Sequence, residues 1–111
     1  MNFLKLCLGV AAAGLASASL ACDYPALVAV PDGKTATIDE MVAAQGSVKA
    51  YMEGMDTYLN CVNAELDAAG DDAPEEFKSI MVSRHNAAVA EMEAIAASFN
   101  DQIAEFRKAN P

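Results

Sequence analysis

Residues 37–70, Thr37-Ile38-Asp39-Glu40-Met41-Val42-Ala43-Ala44-Gln45-Gly46-Ser47-Val48-Lys49-Ala50-Tyr51-Met52-Glu53-Gly54-Met55-Asp56-Thr57-Tyr58-Leu59-Asn60-Cys61-Val62-Asn63-Ala64-Glu65-Leu66-Asp67-Ala68-Ala69-Gly70, decide the fold of this chain. Thr37 and Glu40 stand at the spacing of a capping box, in which a threonine oxygen accepts from the amide three residues on and the glutamate reaches back. From there Ile38, Met41, Gln45, Val48, Met52, Met55, Leu59, Val62, Leu66 and Ala69 recur at alternating steps of three and four. A period near 3.5 held this long predicts a helix packed lengthwise on another, as in a coiled coil. Only Gln45 interrupts the seam, and Gly70 supplies the stop. The predicted helix spans residues 38–69.

A second start follows at once. In Asp71-Asp72-Ala73-Pro74-Glu75-Glu76, Asp72 is placed to cap, Pro74 falls in the first turn, and the acids suit the positive end of a helix dipole. Phe77, Met81, His85, Ala88, Met92, Ile95, Phe99, Ile103 and Phe106 form the second seam, and Arg107 and Lys108 suit the negative end. This predicts a helix over residues 73–108. The connection is too short for anything but an antiparallel pair, which sets Val62 against Met81, Met55 against Ala88, Val48 against Ile95 and Gln45 against Phe99.

Residues 22–37 precede the pair. Pro25, Pro31 and the Pro31-Asp32-Gly33 turn oppose helix, while Leu27-Val28-Ala29-Val30 is apolar enough for burial. Cys22 and Cys61 are the two cysteines beyond the leader described below, and in an exported domain of this size they predict one disulfide. Cys61 lies 24 residues into the first helix, about 36 Å from its start, and an extended chain of about 15 residues reaches about 50 Å. The bond is therefore sterically feasible. The expected bed for the segment is a strip of small residues on the first helix, Ala43, Ser47, Ala50 and Gly54, flanked by Tyr51 and Tyr58. Gly54 costs a helix about 1 kcal/mol relative to alanine, which suggests close approach by another backbone. The expected class is all-α: an antiparallel two-helix hairpin, residues 38–111, with an extended N-terminal segment tethered by the Cys22–Cys61 disulfide.

Residues 1–21 read as a signal peptide. Lys5 precedes an uncharged apolar run to Leu15, too short for the about 20 residues that span a bilayer, and Ser19-Leu20-Ala21 fits a peptidase site. Cleavage after Ala21 is favoured over cleavage after Ala18 because charge and proline begin directly afterwards. It leaves Cys22 first. The competing reading is a lipoprotein acylated at Cys22; it is disfavoured because Ser19 occupies the position where a lipobox carries leucine. A periplasmic or secreted location follows, with no membrane span. Without Lys5 the chain has 7 − 1 = 6 basic against 16 acidic residues, a net charge of −10. Such a chain repels nucleic acid and anionic lipid.

No residue set has the spacing of a catalytic centre. His85, the sole histidine, needs two or three partners to hold a metal; Cys61, Met81 and Met55 would make a soft, copper-type set, but methionines at heptad spacing are ordinary core. Arg84-His85-Asn86 forms a polar cluster, available for bonding to the N-terminal segment or a partner, against the plainer reading of a solvated face. Glu53, Asp56, Glu65, Asp67, Glu91 and Glu93 fall mainly on outward faces, with no cleft to converge them. No cofactor and no enzyme activity are expected. Ser83, Ala87, Ala90, Ala94 and Ala97 make a second small-residue strip, either a plain high-propensity face or a surface for another helix or a second copy.

Taken together, Cys22, Pro31-Asp32-Gly33, Glu40-Met41, Gln45, Val48-Lys49, Tyr51, Tyr58-Leu59 with Cys61, His85-Asn86, Glu91-Met92-Glu93 and Phe99-Asn100 resemble a group of small exported proteobacterial proteins of no assigned activity. The resemblance implies export and a helical hairpin, and transfers no catalytic or binding residue. The expected function is an exported, non-enzymatic interaction or scaffold module with a protein partner or a homo-oligomeric state. The alternatives are a soft-metal binder or buffer and a lipid-anchored envelope protein.

Overall fold

The computed structural model describes residues 22–111, so the signal-peptide reading lies outside the described residues. Two helices account for the architecture: α1, Ile38–Ala69, and α2, Glu75–Ala109. No strand occurs among the described residues. At 1.5 Å per residue the helices are about 48 and about 53 Å long, and they run antiparallel as an all-α hairpin. The Cys22–Cys61 disulfide tethers the extended N-terminal segment to α1.

Local chemistry sets each boundary. The Thr37 side chain accepts from the Glu40 amide at 3.1 Å, so one half of the capping box is formed; the return bond from the Glu40 side chain is not. Gly70 takes φ 78°, a conformation strained for residues with a Cβ, and the turn continues through an Ala73 N–H to Gly70 carbonyl bond of 3.2 Å. The expected start of α2 at residue 73 requires correction. Pro74 is the N-cap, Asp72 makes no side-chain cap bond and the helix begins at Glu75, because a residue preceding proline is pushed out of the α region. Lys78 steadies the entry by donating to the Asp71 carbonyl at 2.8 Å. At the other end Asn110 donates from both its backbone and its side chain to the Phe106 carbonyl.

The seams meet largely as their spacing predicts. Met55, Ala88, Val62 and Met81, all at most 2% exposed, lie in one apolar cluster with Tyr51 and Tyr58. Toward the open end, Met41, Ala44 and Phe99 join Ala36, with Val48, Ile103 and Phe106 packed around them. Ile38 departs from its expected seam place and is 60% exposed, because Ala36, brought in by the preceding turn, takes the core position at this end.

The N-terminal segment takes a different path from the expected one. Ala43, Ser47 and Ala50 are exposed, and of that strip only Gly54 meets the segment: a Cβ built there would lie 3.2 Å from Pro25. The segment instead runs along the groove between the helices, with Val28 against the Tyr51–Tyr58 cluster and Val30 against the Phe99 cluster. A strip whose one polar side chain is the Ser47 hydroxyl cannot serve both the strap's phenol and its backbone N–H, whereas α2 offers Glu91 and Gln102, and buried polar groups must be paired.

Candidate functional site

Three attachments hold the segment as a strap across one face of the hairpin. The first is covalent. Cys22 and Cys61 are bonded with their Cα atoms 5.5 Å apart, a separation ordinary for a disulfide. Glu65, one helical turn beyond Cys61, places a carboxylate oxygen so that it and the two sulfurs all lie within 4.8 Å of one another, and all three residues are half-buried.

The second is a tyrosine–carboxylate clamp. Tyr51 of α1 donates to one oxygen of Glu91 on α2, and Tyr24 of the strap donates to the other at 2.9 Å. One carboxylate thus joins strap, α1 and α2. Tyr24 also sets its ring edge-on to Tyr58, with centroids 4.8 Å apart, a favoured aromatic geometry. Burial, then the hydrogen bond to Glu91, then its negative charge push Tyr24 up to about 12. The same causes in the same order push Tyr51 further up. Both phenols are accordingly held protonated as donors.

The third is the turn. Gly33 donates its amide to the Gln102 side-chain oxygen at 2.8 Å and lies so close to α2 that a Cβ would fall 2.0 Å from the Gln102 carbonyl oxygen and 2.9 Å from the Phe106 nitrogen. The Asp32 carboxylate accepts from the Lys34 amide at 3.0 Å, and its carbonyl accepts from Thr35 and Ala36. This closes the turn that leads into α1.

The strap leaves an apolar groove uncovered at the open end of the hairpin. It has a volume of about 300 Å³ and is lined on α1 by Ile38, Met41, Val42 and Gln45, and on α2 by Phe99, Ile103, Phe106 and Arg107. Val42, like Ile38, is more than half exposed. Gln45, the one polar residue of the α1 seam, therefore faces a groove that water reaches.

The residues singled out from sequence are dispersed. Ser83, Ala87, Ala90, Ala94 and Ala97 are all exposed. Arg84 and Asn86 are exposed and His85 is half-buried; the three do not converge, and Arg84 makes only a long contact of 4.0 Å to the Met81 sulfur. None of them bonds to the strap, whose polar partners are Glu91 and Gln102. Met55 and Met81 lie in the apolar cluster at 0% and 2% exposure, and the Cys61 sulfur is bonded to Cys22. The outward-facing reading of the acids holds for Glu53, Asp56, Asp67 and Glu93, which are exposed, but not for Glu65 and Glu91, which are half-buried. Among the described residues no helix is long and apolar enough to cross a membrane.

Comparison of the chain with protein-family models, with curated proteins and with solved structures gave no match. The functional reading accordingly rests on this geometry.

Proposed function

We propose that this protein is an exported, non-enzymatic interaction module of the cell envelope, working in the periplasm or outside the cell. The observation that carries the reading is the unequal covering of the hairpin. One face is strapped at three points by the chain's own N-terminal segment, while the groove between Ile38 and Val42 on α1 and Ile103 on α2 stays open. A groove of this shape suits the apolar stripe of an amphipathic helix. Residues 22–111 carry 6 − 16 = −10 charges, so a second identical copy is repelled and a basic partner helix is attracted. The exposed small residues from Ser83 to Ala97 leave a second smooth face, and homo-oligomerisation through it is an outcome the test distinguishes.

The sulfur that lipid anchoring requires is the one engaged in the disulfide, which favours a protein released from its leader over an acylated one. The buried, apolar surroundings of Met55 and Met81 favour a packing role for the methionines over copper ligation.

Light scattering after size exclusion, followed by crosslinking of an Ile38 or Val42 photoreactive variant in the native envelope, tests the module. A crosslink to a basic helical partner at these positions supports it. A strict monomer with no crosslinked species at either position contradicts it.

A further inference from the structure

We propose that Cys22, Cys61 and Glu65 form a zinc site that is closed while the cysteines are oxidised and opens when they are reduced. The three donor atoms already lie within 4.8 Å of one another. Zinc at about 2.3 Å from sulfur and about 2.1 Å from oxygen requires its ligand atoms to stand about 3.5–3.8 Å apart, so parting the sulfurs and drawing in the carboxylate are the only adjustments. Cα atoms 5.5 Å apart permit this by side-chain rotation.

The scaffold is suited to the task. Cys61 and Glu65 are four residues apart on α1, on one face of the helix, and Cys22 is carried to them by the strap, which Glu91 and Gln102 hold in place independently of the disulfide. Cleaving the bond therefore leaves both thiols beside the carboxylate. None of the three is fully buried, so a dithiol reductant and the ion can both reach them. Two thiolates with one carboxylate are a borderline-soft set that suits zinc, whereas copper(I) favours sulfur alone. Three protein ligands leave the fourth tetrahedral position to water or to a donor from a partner.

A dithiol gives two electrons and two protons to the Cys22–Cys61 bond, yielding two thiols, and becomes a disulfide itself. Zinc(II) then displaces the two thiol protons to solvent and binds both sulfurs and the Glu65 carboxylate. Set against the interaction module, this site lies at the strap's cysteine end, away from the open groove, and neither proposal depends on the other.

The test is competition for zinc against a chromophoric chelator, with cobalt(II) as the spectroscopic probe, on the exported protein in oxidised form, in phosphine-reduced form, and as Glu65→Gln. One ion per reduced chain, tetrahedral thiolate–cobalt bands, no competition by the oxidised form and weakening by at least about tenfold in Glu65→Gln are the expected results. Helical circular dichroism checks that each form is folded, and Cys61→Ser, which cannot supply two thiolates, is expected to lose the cobalt bands. Equal zinc binding by oxidised and reduced forms overturns the site, as does a reduced, folded chain that binds none. An affinity unchanged in Glu65→Gln overturns the part assigned to the carboxylate.

Discussion

Tyr51, 3% exposed on α1, donates its phenol to Glu91 on α2, and the other oxygen of the same carboxylate holds Tyr24 of the strap. Removal of that carboxylate leaves a buried hydroxyl without its acceptor. Glu91→Ala should therefore destabilise the fold by about 1–3 kcal/mol. For a domain of this size that corresponds to a fall in Tm of roughly 4–8 °C per kcal/mol, readable by thermal circular dichroism. Tyr51→Phe in the Glu91→Ala background should cost little more, because the orphaned hydroxyl is then gone; a double-mutant cycle checks the coupling.

The same clamp predicts an alkaline limit. Tyr24 and Tyr51 are raised above the ordinary tyrosine value of 10.0 in the folded chain, so folding favours their protonated forms. Their contribution is fully present below about pH 10 and is lost as pH rises through about 12 and beyond. Near-ultraviolet tyrosinate absorbance should show these two phenols titrating late in the native protein and normally in denaturant. Tyr51→Phe should flatten the loss of denaturant stability over this range.

Three glycines should respond with different signs to the same substitution. Gly33→Ala drives a Cβ into the Gln102 backbone at 2.0 Å and should cost at least about 1–3 kcal/mol, the usual range for overpacking. Gly46 has nothing within 4 Å of a built Cβ and sits inside α1, so Gly46→Ala should stabilise by about 0.4–1 kcal/mol. Gly54→Ala gains the same helical preference but presses on the Pro25 ring at 3.2 Å, and the two effects should roughly cancel. Urea unfolding of the three variants measures each difference.

Reduction of the disulfide in the absence of metal should lower stability by about 4 kcal/mol on the chain-entropy account, the cysteines being 39 residues apart. Near-ultraviolet circular dichroism of the tyrosines should largely persist on reduction alone, since Glu91 and Gln102 still hold the strap. Combining reduction with Glu91→Ala should release the strap and expose residues 24–33 to limited proteolysis.

The hairpin could be read from Thr37–Gly70 because its information is local and periodic: a cap, a seam and a glycine stop follow one another along the chain. The disulfide was legible for a similar reason, since only two cysteines remained to pair. Gly54 was expected to admit another backbone; the strap does come close there, but with the Pro25 ring and not with its main chain. The strap's course was not legible. Glu91 and Gln102 are ordinary polar residues in an α2 sequence full of them, and nothing within α2 distinguishes them from Glu93 or Asp101. Their roles arise from partners 67 and 69 residues away, Tyr24 and Gly33. The misplaced start of α2 has a smaller cause: Asp72 is a good capping residue, but the restriction that Pro74 imposes on Ala73 outweighs it. The polar triplet Arg84-His85-Asn86 stood out by composition, yet consecutive helical residues point in different directions and do not form a site.

The most direct test of the strapped hairpin is the intact mass of the protein recovered from its native host, alkylated with and without prior reduction. The account predicts a chain beginning at Cys22 that takes no alkyl group before reduction and two after it. Alkylation of both cysteines without reductant, or lipid mass on Cys22, would contradict it.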